Sequence, residues 1–175
     1  MKNPCIETAR LQLIAATEEL VRAEIEDRAA FSAFLQAQVP ADWPPEFNDI
    51  HTQTFTLQKL AGNPEQVGWW TWYFILQGTS DSERVLIGNG GFKGSPTADG
   101  VEVGYSILQQ FQNAGYGSEA VAGLLDWAFQ QHVRCVSAET LPELGASIRV
   151  LEKNGFSYVG PGSEEGVILY RKDLS

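Results

Sequence analysis

The segment richest in potential chemistry is Gln112-Asn113-Ala114-Gly115-Tyr116-Gly117-Ser118-Glu119, between an apolar run ending near Leu108 and a helical pattern opening near Gly115. Its two glycines permit positive φ and let a ligand approach the backbone closely. The first amides of the following helix have no intrahelical acceptor, so they point outward. Together with the helix dipole they form an anion site suited to a pyrophosphate. Ser118 can add a hydroxyl, and Glu119 suits the positive end of the helix. An ordinary turn with a glycine-rich helix start has the same composition, so both readings stand on these residues alone. Two nucleotide motifs fit less well. The lysine and spacing of a P-loop are missing. Gly88-Asn89-Gly90-Gly91 matches half of a dinucleotide fingerprint, but the third glycine is misplaced and Pro96 and Asp99-Gly100 lead into another strand. Those glycines fit a strand that bulges or that meets a ligand or neighbouring backbone closely.

The elements that must hold this turn are legible from periodicity. Arg10 to Ala15 predicts a strand with Leu11, Leu13 and Ala15 on one face. Thr17 then caps a helix running to about Ala37, with Leu20, Val21, Ile25, Phe31, Phe34 and Leu35 as its core stripe. Pro40, Pro44 and Pro45 break regular structure, and a second helix is expected from about Phe47 to Leu60. Trp69 to Leu76 is apolar on both faces, as a central strand requires. Arg84 to Gly94 and Val101 to Leu108 continue an antiparallel meander. A helix over about Gly115 to Gln131 and a strand over Arg134 to Glu139 complete a β-α-β unit, which implies a parallel pair. A late helix, about Gly145 to Asn154, ends at a cap in Asn154-Gly155, and Phe156 to Tyr158 and Val167 to Arg171 supply the last strands. The fold class expected is α/β: one domain over residues 1–175, with a mixed, mainly antiparallel sheet of six or seven strands and four main helices on its two faces.

Composition narrows the function classes. The 175 residues are 43% hydrophobic, which suits one packed domain, and no uncharged apolar run reaches the roughly 18 residues of a membrane span. The N-terminal residues lack the apolar core of a signal peptide, so a cytoplasmic location is expected. Cys5 and Cys135 are too few for a disulfide framework, and neither they nor His51 and His132 cluster at metal-ligand spacing, so no metal is expected. A formal net charge of −10 disfavours direct contact with nucleic acid or anionic membrane and favours a cationic amine or basic polypeptide as partner.

The stretch Gln112 to Gly117 resembles the (Arg/Gln)xxGx(Gly/Ala) motif of the GNAT acetyltransferase superfamily. Glu102 to Leu108 resembles the family strand before it, and Gly115 to Ala120 the loop-helix junction of the ribosomal-protein N-terminal acetyltransferase branch. Glu7 to Leu13 is similar to that branch's opening strand, and Ala146 to Phe156 to its late helix. These matches run in order along nearly the whole chain. The resemblance implies an acetyl-CoA site in which the amides of Asn113, Ala114, Gly115, Tyr116, Gly117 and Ser118, with Gln112 at the motif's first position, bind pyrophosphate. It also implies that Ser106, Ile107 and Leu108 pair with the pantetheine arm, and that the thioester lies between splayed strands at Glu102 to Leu108 and Val133 to Thr140.

Acyl transfer to an amine needs a neutral nucleophile, donors for the developing negative oxygen and a proton for the leaving thiolate. By resemblance, the Leu108 amide is the candidate oxyanion donor. Glu139 is the first candidate base, at the end of the strand beside the cleft, and Glu102 on the facing strand is the second; a surface or cross-strand ion pair is the competing role of each. The family's usual asparagine before the late helix is replaced by Leu144 and its usual tyrosine acid by Leu151, which leaves Ser147 as the substitute acid or else a helix cap. Gln112 replaces a common arginine and removes one positive charge. Trp69, Trp70, Trp72 and Tyr73 suit a packed core strand or an apolar acceptor pocket, the core reading being preferred for the strand, whereas Trp43, in the proline-rich link, suits a substrate wall. The acceptor implied is a protein N-terminus or a small amine. The rival readings are a catalytically silent acyl-CoA-binding or interaction module and a sheet domain without a CoA site. Relatives often dimerise, and the strand near Val167 to Arg171 is the expected contact edge.

Overall fold

The computed structural model describes residues 3–174. Five strands form the expected antiparallel meander: β1 (Cys5–Glu7), β2 (Leu11–Ala15), β3 (Thr71–Leu76), β4 (Val85–Phe92) and β5 (Val101–Ile107). The sheet continues through β6 (Cys135–Thr140), parallel to β5, and then through the antiparallel pair β8 (Ile168–Asp173) and β7 (Ser157–Pro161), in the order β1-β2-β3-β4-β5-β6-β8-β7. Helices α1 (Glu18–Glu26), α2 (Arg28–Leu35) and α3 (Ile50–Leu60) link β2 to β3. Helix α4 (Tyr116–Gln130) links β5 to β6, and α5 (Gly145–Lys153) links β6 to β7.

The alternation of β3 divides the core. Trp72 and Phe74 point into a cluster with Leu11, Leu13, Ala15 and the apolar face of α4, while Tyr73 and Ile75 point into a second cluster with Leu20, Phe31 and Leu35. All four β3 residues are fully buried, as a central strand with helices on both faces must be.

Several expectations need correction. Eight strands are present, because the short β1 pairs with β2. The helix expected from Thr17 to Ala37 is two helices. Thr17 does cap the first, accepting from the Leu20 amide, but Asp27 takes an extended conformation, closes α1, and caps α2 by accepting from the Ala30 amide. Its short carboxylate competes for local backbone donors, the usual reason aspartate breaks helices. The break resets the helical phase, so Phe34 leaves the predicted stripe and stands 57% exposed. Helix α3 starts at Ile50 under an Asp49 cap, since Phe47 has φ of 71°. The Val167 to Arg171 strand is not an edge: β8 lies between β6 and β7, and β7 is the outer strand.

Two irregularities shape the sheet where function is expected. On β4, Gly88 pairs with Phe74 and Leu86 with Ile75, leaving Ile87 as a bulge. Between β5 and β6 the parallel ladder holds only Val101–Val136 and Glu102–Ser137. Beyond those pairs the strands part, at the place the splay was expected.

Candidate active site

The loop after β5 is built to present backbone. A single 3-10 turn over Gln109–Phe111 is followed by Gln112 in extended conformation, Asn113 with φ of 62° and Gly115 with φ of 84°. These left-handed positions curl successive amides toward one side. The first helical hydrogen bond is Glu119 N to Gly115 O at 3.0 Å, and none of the amides of residues 113–118 has an acceptor among the described residues. Six consecutive N–H groups at the positive end of a 15-residue helix match the oxygens of a pyrophosphate. The Ser118 hydroxyl accepts from Asn154 Nδ2 at 3.2 Å, leaving its own proton to donate outward. Gln112 is used differently from a charged anchor, because its side-chain amide donates to Ile107 O at 2.9 Å and closes the loop onto β5.

The loop is braced from below by Thr8 and Arg10, which carry no local sign of a role at the site, acting through Glu119. Glu119 accepts from the Thr8 hydroxyl (2.6 Å), the Arg10 amide (2.6 Å) and Arg10 Nε (2.7 Å). Arg10 Nη1 donates in turn to Ala114 O at 3.0 Å, and the guanidinium lies 4.4 Å from the centre of the Tyr116 ring. Burial works against ionisation of Glu119, but the hydrogen bonds from Thr8 and Arg10 and the Arg10 charge outweigh it and hold the carboxyl below the usual range. The available signal was non-local, the Glu7 to Arg10 segment beside an acidic helix start.

The gap between β5 and β6 opens directly before this loop. Leu108 is not free to act as a donor there: its amide donates to Ile87 O at 2.8 Å, in step with the β4–β5 register. Glu102 O likewise accepts from the Lys93 amide on the β4 side. Strand alternation turns the Tyr105 backbone and the Ile107 amide away from β4, so the Ile107 amide, not that of Leu108, faces the parted edge, while Ile107 O accepts from Gln112.

Ser147 is the third residue of α5 and not its cap; the cap position is Leu144, whose side chain makes no capping bond. The Tyr105 hydroxyl donates to Ser147 O at 3.1 Å and lies 3.2 Å from Ser147 Oγ. Burial raises the Tyr105 pKa, partly offset by the Ser147 hydrogen bond, which keeps the phenol protonated. Leu151 is in the core at 1% exposure.

The predicted carboxylates are engaged elsewhere. Glu102 pairs with Lys93. Glu139 accepts from the Ser163 amide and hydroxyl, each at 2.7 Å, and so ties β6 to the turn between β7 and β8. Neither lines the groove that reaches β5 from the α3 side, a space of about 380 Å³ between residues 46–56 and the facing edges of β3, β4 and β5. Asn89 and Gly91 on β4 and Gly104 and Ser106 on β5 lie in its floor, Lys93 also lines it, and Glu46, Phe47, Phe55 and Trp70 stand in its walls. Phe55 meets Trp70 edge-on at 5.6 Å.

Trp43 is not in that wall. It is 7% exposed, packs against Phe31 and Tyr73, and donates from Nε1 to Glu24 at 3.0 Å. The same carboxylate accepts from Asn48 (3.1 Å), Gln53 (3.3 Å) and the Tyr73 hydroxyl (2.6 Å), so one partly buried acid fastens α1, the proline-rich link, α3 and β3 behind the groove. Desolvation raises the Glu24 pKa against the pull of its hydrogen bonds, and burial with the neighbouring Glu24 pushes the Tyr73 phenol well up.

Among the described residues no group of three His, Cys, Asp or Glu side chains could hold a metal ion, and no helix is long and apolar enough to cross a membrane. A search of curated protein sequences finds no match to the chain. Solved structures share its fold. An acetyltransferase from Agrobacterium tumefaciens C58 is 20% identical, with TM-score 0.65 and coverage of 98% of this chain and 95% of that one. The ribosomal-protein-S5-alanine acetyltransferase from Vibrio fischeri is 20% identical, with TM-score 0.63 and coverage of 98% and 97%. RimL, a ribosomal L7/L12 α-N-protein acetyltransferase solved with coenzyme A, is 22% identical, with TM-score 0.62 and coverage of 98% of each chain. The family model of the acetyltransferase (GNAT) domain matches residues 19–157. Because that match runs from the first helix to the start of β7, and so takes in the loop, the parted strands and the groove, the chain belongs to the GNAT acetyltransferase family.

Proposed function

We propose that this protein transfers an acetyl group from acetyl-CoA to a primary amine by direct attack, the acceptor being a protein N-terminus or a small amine. The observation that carries the reading is the run of amides 113–118 without acceptors, which opens onto the gap between β5 and β6. Those amides and the Ser118 hydroxyl would hold the pyrophosphate, and the edge of β5 at the Tyr105 backbone and the Ile107 amide would pair with the pantetheine arm. When bound, acetyl-CoA supplies an acyl group already activated as a thioester.

The chain's own residues then supply the rest. The Ile107 amide is placed to offset negative charge on the carbonyl oxygen at the gap. The groove reaches β5 from one face of the sheet, while the Tyr105–Ser147 hydroxyl pair lies on the other, so the amine and the proton for the departing sulfur arrive from opposite sides. Ser147, relayed by Tyr105, is the proposed proton donor. The proton lost by the amine goes to a carboxylate through water. Glu46, in the groove wall, is better placed than Glu139 or Glu102, which are held by Ser163 and Lys93. No metal takes part, and nothing in the scheme calls for nucleic acid or membrane; a cytoplasmic, single-domain and homodimeric protein fits it.

A second reading, a silent acyl-CoA-binding or interaction module, is favoured by one observation: Leu151 in the core and Leu144 at the α5 cap stand where the family's polar cofactor and acid contacts usually lie. Titration with CoA by calorimetry and release of free thiol from acetyl-CoA across a panel of peptides and amines separate the two. Binding with turnover is expected, and the Glu46→Gln, Glu102→Gln and Glu139→Gln variants assign the base by which of them loses the basic limb of the pH–rate profile. CoA binding without thiol release on any acceptor supports the silent module, and no CoA binding removes both readings.

A further inference from the structure

The groove floor consists of two cross-strand rows on one face of the sheet. Asn89 on β4 faces Ser106 on β5, and next to them Gly91 faces Gly104. Asn89 is 7% exposed, yet its carboxamide makes no hydrogen bond to any described residue. Buried amides are normally paired, and the buried side chains of Asn48 and Gln53 nearby are both bonded to Glu24. Thr56, 5% exposed and in the same groove, is likewise without a partner. These polar groups therefore face the groove itself, where only solvent or a ligand can meet them.

The glycine row explains what shape is admitted. A Cβ on Gly104 would meet nothing within 4 Å, so no packing demand excludes a side chain there, and its absence leaves the floor open beside Asn89. A carboxamide offers both an acceptor and donors, which suits an amine N–H and a carbonyl oxygen on adjacent carbons. The walls above it are aromatic: Phe55 and Trp70 in edge contact, with Phe47 at the mouth, 76% exposed.

We infer that Asn89 is the positioning residue for the acceptor, and that the groove selects an amine flanked by a carbonyl and carried on an apolar or aromatic group. The inference rests on the acetyl-transfer reading for the identity of the groove. The carboxamide fixes the amine by its neighbouring carbonyl, the open floor at Gly104 takes the connecting atoms, and Phe47, Phe55 and Trp70 cover the apolar group.

The test compares phenylalanine amide, phenethylamine and a polyamine as acceptors in the wild-type protein and in Asn89→Leu, Asn89→Ser and Asn89→Asp. Phenylalanine amide should have the highest kcat/KM. Asn89→Leu should reduce it by about ten-fold or more, mainly through KM, with little change for phenethylamine, and Asn89→Ser should restore part of the preference. Fluorescence of Trp70 in the wall, titrated with phenylalanine amide in the presence of CoA, gives a readout that needs no turnover. The same loss of affinity in Asn89→Leu is expected there, with CoA affinity and melting temperature unchanged. Equal kcat/KM for the amide and phenethylamine overturns the inference while leaving acetyl transfer intact, as does an Asn89→Leu effect common to all acceptors. Absent turnover with Asn89-dependent amide binding overturns the enzyme reading and keeps the groove's selectivity.

Discussion

At the loop before α4 the side chains that brace the turn are engaged and the backbone is free; on the floor of the groove beside α3 the backbones of β4 and β5 are paired and the side chains of Asn89 and Ser106 are free among the described residues. Around the loop, Gln112, Arg10, Glu119 and Asn154 are bonded to the protein, while the amides of 113–118 are not. In the groove, Asn89 and Ser106 are paired strand residues whose side chains have no partner among the described residues. A site read by backbone suits a ligand part that stays the same, because any sequence with the right φ angles presents the same donors. A site read by side chains can be retuned residue by residue on one scaffold. Perturbing one region should therefore leave the other intact.

The largest expected effect is on the groove. Glu24→Ala removes the acceptor of four donors behind the α3 wall and should cost at least about 3 kcal/mol of stability, measured by denaturant unfolding. At temperatures where the variant stays folded, calorimetry should show CoA affinity nearly unchanged and acceptor KM raised. A parallel collapse of CoA binding would show the two regions to be one cooperative unit.

Next in size is a change confined to the loop. Gly115→Val forces a β-branched residue to φ of 84° and sets a Cβ 3.2 Å from the Arg10 guanidinium. The strain of about 1–3 kcal/mol predicts CoA binding weakened by roughly 10- to 100-fold, with the ranking of acceptor amines preserved. A changed ranking would contradict the separation.

The smallest effect is a pH dependence. The folded-state pKa of Glu119 is depressed, so its bonds to Thr8 and Arg10 add stability above the unfolded carboxyl pKa of about 4.3, and that stability is lost as pH falls through the lower folded value. Glu119→Gln should flatten the acid limb of both stability and CoA affinity between about pH 5 and the folded pKa. An acid limb identical to wild type would remove Glu119 from the loop's support.

The same contrast explains how much was legible in the sequence. The strands at Leu11 to Ala15 and Thr71 to Leu76 and the helix from Tyr116 follow from local periodicity, and the loop from glycine spacing, because each is decided by residues close in the chain. The break at Asp27 was missed because apolar spacing continues across it, and only the competition of its carboxylate for the Ala30 amide ends the helix. Trp43 was placed in the substrate wall because a tryptophan in a proline-rich link gives no local sign of a partly buried partner, and Glu24, 19 residues away, supplies one. Glu139 stands at a strand end and Glu102 on the facing strand, yet Ser163 and Lys93 occupy them, contacts set by the β7–β8 turn and by the segment that follows β4.

The sequence by itself determined the meander, the β-α-β unit and the donor loop, since hydrophobic period, capping residues and glycine positions are short-range physics. The tertiary structure decided which groups are left unpaired: that the Leu108 amide is taken by the Ile87 carbonyl, that Arg10 comes from about a hundred residues away to join Glu119 and brace the loop, and that the Asn89 carboxamide, unpartnered among the described residues, opens to the groove. Availability depends on every neighbour a group meets across the sheet, and those neighbours come from segments whose separation along the chain carries no local signal.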